Sequence, residues 1–176
     1  MIRKYILTGA PGSGKSSILL EIERKGEYIV REAAEDIIKL NQARGVERPW
    51  ELTDFQDQIL DLQIQRENQI PKNIERAFID RGILGGLAYA KIGTEINRRI
   101  QREARAYTGV FLIENLGNIQ QTRIRREDYA AALEIEKKLC LVYETAGYNI
   151  QRITSAPVEE RANGILRIIG RGVKLR

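Results

Sequence analysis

The sequence predicts an α/β fold, a parallel sheet with helices crossing over on both of its faces. Two features predict it. Short apolar runs alternate along the chain with helix-forming segments, the pattern of strands joined by crossover helices. The first of these runs leads straight into a glycine-rich turn and then a helix, a junction suited to holding phosphate.

The strand candidates are Tyr5-Ile6-Leu7, Tyr28-Ile29-Val30, Ala77-Phe78-Ile79, Val110 to Ile113, and Tyr148-Asn149-Ile150, each bounded by glycine or a charged residue. Such near-continuous apolar runs suit strands buried on both faces. The first helix is expected from about Lys15 to Lys25, closed by Gly26 after a basic last turn. A second runs from about Thr53 to Gln69, capped by Thr53 or Asp54, with Phe55, Ile59, Leu62 and Gln69 near one face and Pro71 stopping it. The segment 95–107 reads as an amphipathic surface helix, its Arg98, Arg102 and Arg105 solvated opposite Ile96, Ile100 and Ala104. From Glu127 to Ala146 the stripe is Tyr129, Leu133, Cys140 and Tyr143, with Cys140 a small buried hydrophobe and Gly147 the stop. The last helix opens at Pro157, carries Glu159 and Glu160 in its first turn, and aligns Val158, Ala162, Ile165 and Ile169.

Of 176 residues, 43% are hydrophobic and 30% charged, which fits one compact domain over 1–170 with a basic tail at 171–176. Lys+Arg number 29 against 24 Asp+Glu, a formal +5. That balance favours phosphate-bearing ligands without specifying nucleic acid. There is one cysteine and no histidine, which excludes disulfide frameworks, Cys/His zinc sites and any imidazole base. Acids, bases and metal ligands must therefore be carboxylates, hydroxyls, Lys or Arg. No apolar stretch reaches the roughly 18 residues of a membrane span, and Met1-Ile2-Arg3-Lys4 lacks the apolar core of a signal peptide. A cytoplasmic protein is expected.

The strongest chemical signal is Gly9-Ala10-Pro11-Gly12-Ser13-Gly14-Lys15-Ser16, a full match to the P-loop G-x-x-x-x-G-K-[ST], with Ser17 beside it. Gly9, Gly12 and Gly14 let the backbone turn so that its N–H groups, Ser13 included, face the phosphates at a helix N-terminus. Lys15 is expected to reach the β/γ-phosphate oxygens and Ser16 to ligate Mg²⁺. The ligand is then ATP or GTP with Mg²⁺; the absence of an N-K-x-D base-recognition motif favours ATP.

Two carboxylates follow strands and should emerge at the ligand edge of the sheet. Asp80, followed by Arg81 and Gly82, is placed to hold Mg²⁺ or to contact a substrate hydroxyl, with Arg81 forking onto a phosphate or carboxylate; the plainer alternative is an Asp–Arg salt bridge at a cap. Glu32 is a candidate base for an acceptor hydroxyl, or else a carboxylate favoured by a helix dipole. Glu35 and Asp36 read as surface acids. Segment 115–127 is polar and reads as a mobile lid; its Arg123, Arg125 and Arg126 are candidates to stabilise a transferring phosphoryl group, or are simply solvated. Trp50 stacks on a base or anchors its loop.

The ordered set GAPGSGKSS at 9–17, REAAED at 31–36, FQDQI at 55–59, DRG at 80–82, AYAKIG at 88–93 and YETAGY at 143–148 resembles the small AAA-domain P-loop family that includes the ribosylnicotinamide kinase domain of NadR. The resemblance spans nearly the whole chain. It implies a three-layer P-loop NTPase fold like that of nucleoside and nucleotide kinases, with five parallel strands in the order 2-3-1-4-5. It implies phosphate and magnesium roles for Lys15 and Ser16, a base at Glu32 and an acid–arginine pair at Asp80-Arg81. The chain departs from the family at Gly85, where an Asp is frequent, and at Glu35, where an Arg is frequent. Two functions follow: a small-molecule kinase acting on a hydroxyl or phosphate acceptor, or an NTP-binding switch working through a protein partner. An enzyme of nucleic-acid ends has only the positive charge in its favour.

Overall fold

In the computed structural model, residues 2–115 and 129–170 are described. The expected lid beyond Asn115, with Arg123, Arg125 and Arg126, and the tail 171–176 lie outside the described residues.

Strands β1 (Arg3–Thr8), β2 (Tyr28–Val30), β3 (Arg76–Asp80), β4 (Gly109–Ile113) and β5 (Ile150–Ile153) form one sheet in the order β2-β3-β1-β4-β5. Every neighbouring pair is parallel. Helices α1 (Lys15–Arg24), α2 (Ala33–Ala43), α3 (Phe55–Asn68), α4 (Gly82–Gly85), α5 (Glu95–Glu103), α6 (Tyr129–Thr145) and α7 (Val158–Gly170) complete the described chain, with short 3₁₀ turns at Pro49–Glu51 and Gly86–Ala88.

The two-residue period of a strand sorts each apolar run onto both faces. Tyr5, Leu7, Phe78, Phe111 and Ile113 face α1 and α7, meeting Ile18, Ile22, Ala162 and Ile165. Tyr5 stacks on Phe78 at 5.6 Å between ring centroids. Ile6, Ala77, Ile79 and Val110 turn the other way, toward Leu84, Tyr107, Tyr143 and Tyr148. Each large apolar side chain so buried contributes about 1.5–3 kcal/mol.

Several boundaries and faces differ from expectation, each for a physical reason. The fifth strand is Ile150–Ile153. Tyr148 instead anchors the turn after Gly147, which sits at φ 85°: its ring packs edgewise on Tyr143 and its hydroxyl accepts from the Tyr107 N–H at 2.9 Å. On α3 the buried residues are Phe55, Leu60, Gln63 and Glu67; of the expected stripe only Phe55 is among them, because Glu67 is drawn inward by Ile83, Tyr107 and Lys4 from other elements and Gln63 donates to it along the helix. On α6 the deeply buried residues are Ala132, Leu139 and Tyr143. Cys140 is only half-buried, enough for burial to hold its thiol above the usual value. On α7 Val158 is exposed and Arg161 is buried. Helix α5 ends at Glu103, so that Tyr107 enters the core; Arg98 and Arg102 pair with Glu95, and Arg105 with Glu103, at the surface.

Candidate active site

The strand order sets β1 between β3 and β4, so the turn after β1 is flanked by the ends of its neighbours. In that turn Gly9, Gly12 and Gly14 take φ of 135°, 80° and 91°, a region closed to most side chains. At Gly9 space forbids a substitution as well: a Cβ would stand 2.5 Å from the Ile113 carbonyl oxygen. Lys15, 3% exposed, folds back so that Nζ donates to the Gly9 and Ala10 carbonyls, each at 2.9 Å. Ser16 and Ser17 stay exposed on the first turn of α1, which has no side-chain cap and no acidic residue. The Ser13 hydroxyl is fully buried without a hydrogen-bond partner.

These features fit an anion. Uncapped helix N–H groups, a buried ammonium and an unsatisfied hydroxyl around a positive-φ loop make up the donor set of a triphosphate cradle. The oxygens of Ser16 and Asp80 suit Mg²⁺, which takes few protein ligands and completes its shell with water and phosphate.

Asp80 ends β3 in register with Leu7 of β1 and is 3% exposed, at the root of the phosphate loop. Arg81 follows at φ 63°, among the described residues the one non-glycine with positive φ. Its N–H donates to the Leu7 carbonyl at 2.9 Å and its carbonyl accepts from the Tyr143 hydroxyl. Strain of this kind persists where surroundings over-determine it. Here it aims the guanidinium: Nη2 pairs with Glu32 Oε1 at 2.8 Å, and Cζ lies 4.5 Å from the Tyr89 ring centroid. Glu32 stands at the N-cap of α2 yet makes no capping bond. Gly85 accommodates the arginine stem, since a Cβ there would meet Arg81 Cγ at 2.5 Å.

Between Pro11, α2, α3 and this pair lies a cavity of about 330 Å³. Ile38, Trp50, Phe55, Ile59, Ile83 and Ile100 make it largely apolar, while Glu32, Glu35, Gln56, Gln63, Arg81 and Tyr89 supply polar groups. Glu32 and Arg81 thus come together at the cavity. Asp80, Lys15 and Ser16 belong to the phosphate side and do not line it. Glu35, read from sequence as a surface acid, faces the cavity while pairing with Lys39 at 3.0 Å; Asp36 pairs with Arg66. Gln63 carried no sequence signal of a role here, and Tyr89 stood out only as part of the AYAKIG segment at 88–93.

A buried carboxylate supports the turn after Arg81. Glu67 Oε1 accepts from the Ile83 N–H and the Tyr107 hydroxyl, each at 3.2 Å, and from Gln63 Nε2 at 3.3 Å, while Lys4 Nζ lies 3.8 Å from Oε2. Burial raises the Glu67 carboxyl above its usual range, against the hydrogen bonds and the Lys4 charge. A carboxyl raised in the folded state holds its proton more tightly there than in the unfolded chain. Stability from it is therefore fully present at low pH and declines as pH rises through and above the ordinary carboxylate value. Glu67→Gln is expected to remove this decline, so that thermal denaturation across about pH 4 to 7 shows the variant gaining on the wild type as pH rises. A difference in Tm that stays constant with pH would contradict it.

The AAA domain family matches residues 4–161. The chain belongs to that family. This AAA domain has no match among curated proteins. Solved structures share its fold. NadR in complex with NR has a TM-score of 0.73 at 14% identity, covering 99% of this chain and 52% of that one. Thymidylate kinase from Candida albicans has 0.71 at 13%, covering 97% and 92%. Deoxyadenosine kinase from M. mycoides with dATP has 0.68 at 18%, covering 96% and 99%. This AAA domain therefore spans about half the length of the NadR chain, and at these identities the likeness is one of fold. It bears out the expected three-layer fold and strand order. Among the described residues, no helix is long and apolar enough to cross a membrane.

Proposed function

We propose that this AAA domain is an ATP-dependent kinase that transfers the γ-phosphoryl group to a hydroxyl of a small, nucleoside-like acceptor. The observation that carries the reading is the cavity beside the phosphate loop, which Pro11 of that loop lines together with the paired Glu32 and Arg81. A nucleotide switch needs no such acceptor pocket. Apolar walls with a few polar groups are the make-up of a small-molecule site. Two carboxylates and one guanidinium line it, a balance that favours a neutral hydroxyl over a phosphate as acceptor.

In this reading the Glu32 carboxylate takes the acceptor proton as the new oxygen–phosphorus bond forms and the bond to the β-phosphate oxygen breaks, releasing ADP. Arg81, fixed by Tyr143, Tyr89 and Glu32, orients the acceptor. Lys15 and the loop N–H groups hold the transferring phosphate. Ser16 and Asp80 would hold Mg²⁺, which when bound would neutralise phosphate charge. Arg123, Arg125 and Arg126, the sequence's candidates to stabilise the transferring phosphoryl group, lie outside the described residues. ATP is the donor because dATP and AMP-PNP occupy related folds and the sequence has no guanine-recognition motif.

The test is ATP consumption with Mg²⁺, alone and against nucleosides, nucleoside monophosphates and ribosylnicotinamide, with products resolved by mass. Stimulation by one acceptor alcohol with a matching monophosphorylated product is expected. Turnover indifferent to every acceptor would overturn the kinase reading in favour of an NTPase.

A further inference from the structure

Arg161 belongs to no motif, and its position on α7 gives no sequence signal. In the fold it is 2% exposed and reaches 148 residues back along the chain. Nη1 donates to the Ser13 carbonyl at 3.0 Å, in the middle of the glycine-rich turn. Nη2 donates to the Glu114 carbonyl at 2.8 Å, just past the end of β4. Nε is buried without a hydrogen-bond partner. The Glu114 carboxylate itself lies 3.7 Å from Arg152. The guanidinium is buried against two backbone carbonyls, with the Glu114 carboxylate as its charged neighbour, and its desolvation costs free energy.

The geometry points to a return in the phosphate loop. A trans peptide directs its carbonyl and its N–H to opposite sides. Holding the Ser13 carbonyl against α7 therefore turns the Gly14 N–H away from α7, toward the open side of the loop. The same guanidinium places a fixed positive charge behind the loop, where water does not screen it. We infer that Arg161 is a positioning residue of the phosphate grip, setting the Ser13–Gly14 peptide and thereby the affinity for the triphosphate. The inference rests on the reading that the loop binds a nucleotide. It adds an element that no motif of the sequence supplies, a brace from the last helix.

The experiment compares wild type, Arg161→Met and Arg161→Lys by calorimetric titration with Mg²⁺-ATP, alongside thermal melts and exchange of the Gly14 amide followed by NMR. For Arg161→Met, ATP affinity is expected to fall roughly 10- to 100-fold, the worth of a lost charge-assisted pair of hydrogen bonds. Exchange at Gly14 should quicken while amides of β3 stay protected. Lysine keeps the charge and reaches one carbonyl, so Arg161→Lys should recover part of the loss, a rescue that a merely structural role would not produce. Wild-type affinity in folded Arg161→Met overturns the inference. If that variant does not fold, wild-type affinity and unchanged Gly14 exchange in Arg161→Lys overturn it. Absence of ATP binding by the wild type would overturn the loop's assignment itself, a distinguishable result.

Discussion

Lys15→Ala is expected to weaken Mg²⁺-dependent nucleotide binding by orders of magnitude while leaving the fold intact. The ammonium is 3% exposed and held by the carbonyls of Gly9 and Ala10, so its charge is already desolvated at the cradle. Because that burial is complete before a ligand arrives, its attraction for phosphate is stronger than that of a surface lysine. Losing it should weaken ATP by roughly 10²- to 10³-fold, comparable with removing a preorganised donor from an oxyanion site. The fold should survive, because the Gly9 and Ala10 carbonyls to which Lys15 Nζ donates belong to the turn after β1 and not to a strand. Calorimetric titration of the variant with ATP, supported by circular dichroism, checks both halves. Unchanged affinity in a folded variant would remove the phosphate loop from the reading altogether.

The phosphate loop was legible because its conformation is local. Glycines at positions 9, 12 and 14 announce positive φ, and the flanking strand and helix follow from apolar pattern and helix stops. The five-stranded order was legible through the resemblance rather than through composition. What sequence pattern missed depends on contacts across long separations. Glu67 carried no signal in the sequence, yet Lys4, Tyr107 and Ile83 converge on it from other elements. Glu35 was assigned to the surface because its helix position suits a dipole; that α2 packs beside α3 and opens a cavity at this point is a tertiary fact. Tyr148 carried a strand pattern but was claimed by Tyr107 and Tyr143. Gly85, noticed as a departure from the family, acquires its meaning only when the Arg81 stem is seen to lie over it.

Glu32→Gln separates binding from chemistry. Glutamine keeps the size of the side chain and an oxygen that can still accept from Arg81, so the cavity and the phosphate loop should keep their shapes. It removes the negative charge and the ability to take a proton. ATP affinity is expected to match the wild type, while phosphoryl transfer to the acceptor falls by roughly 10²- to 10⁴-fold, the usual contribution of a positioned general base. The effect should appear in kcat and kcat/KM together, the mark of an interaction made in the transition state. Glu35→Gln is the necessary comparison, because Glu35 is the other carboxylate of the cavity and is tied to Lys39 at 3.0 Å. With Glu32 as base, Glu35→Gln retains transfer and Glu32→Gln loses it. The reverse result would move the base to Glu35 and recast Glu32 as the anchor that aims Arg81; full transfer by both variants would mean that the acceptor needs no carboxylate base from this cavity.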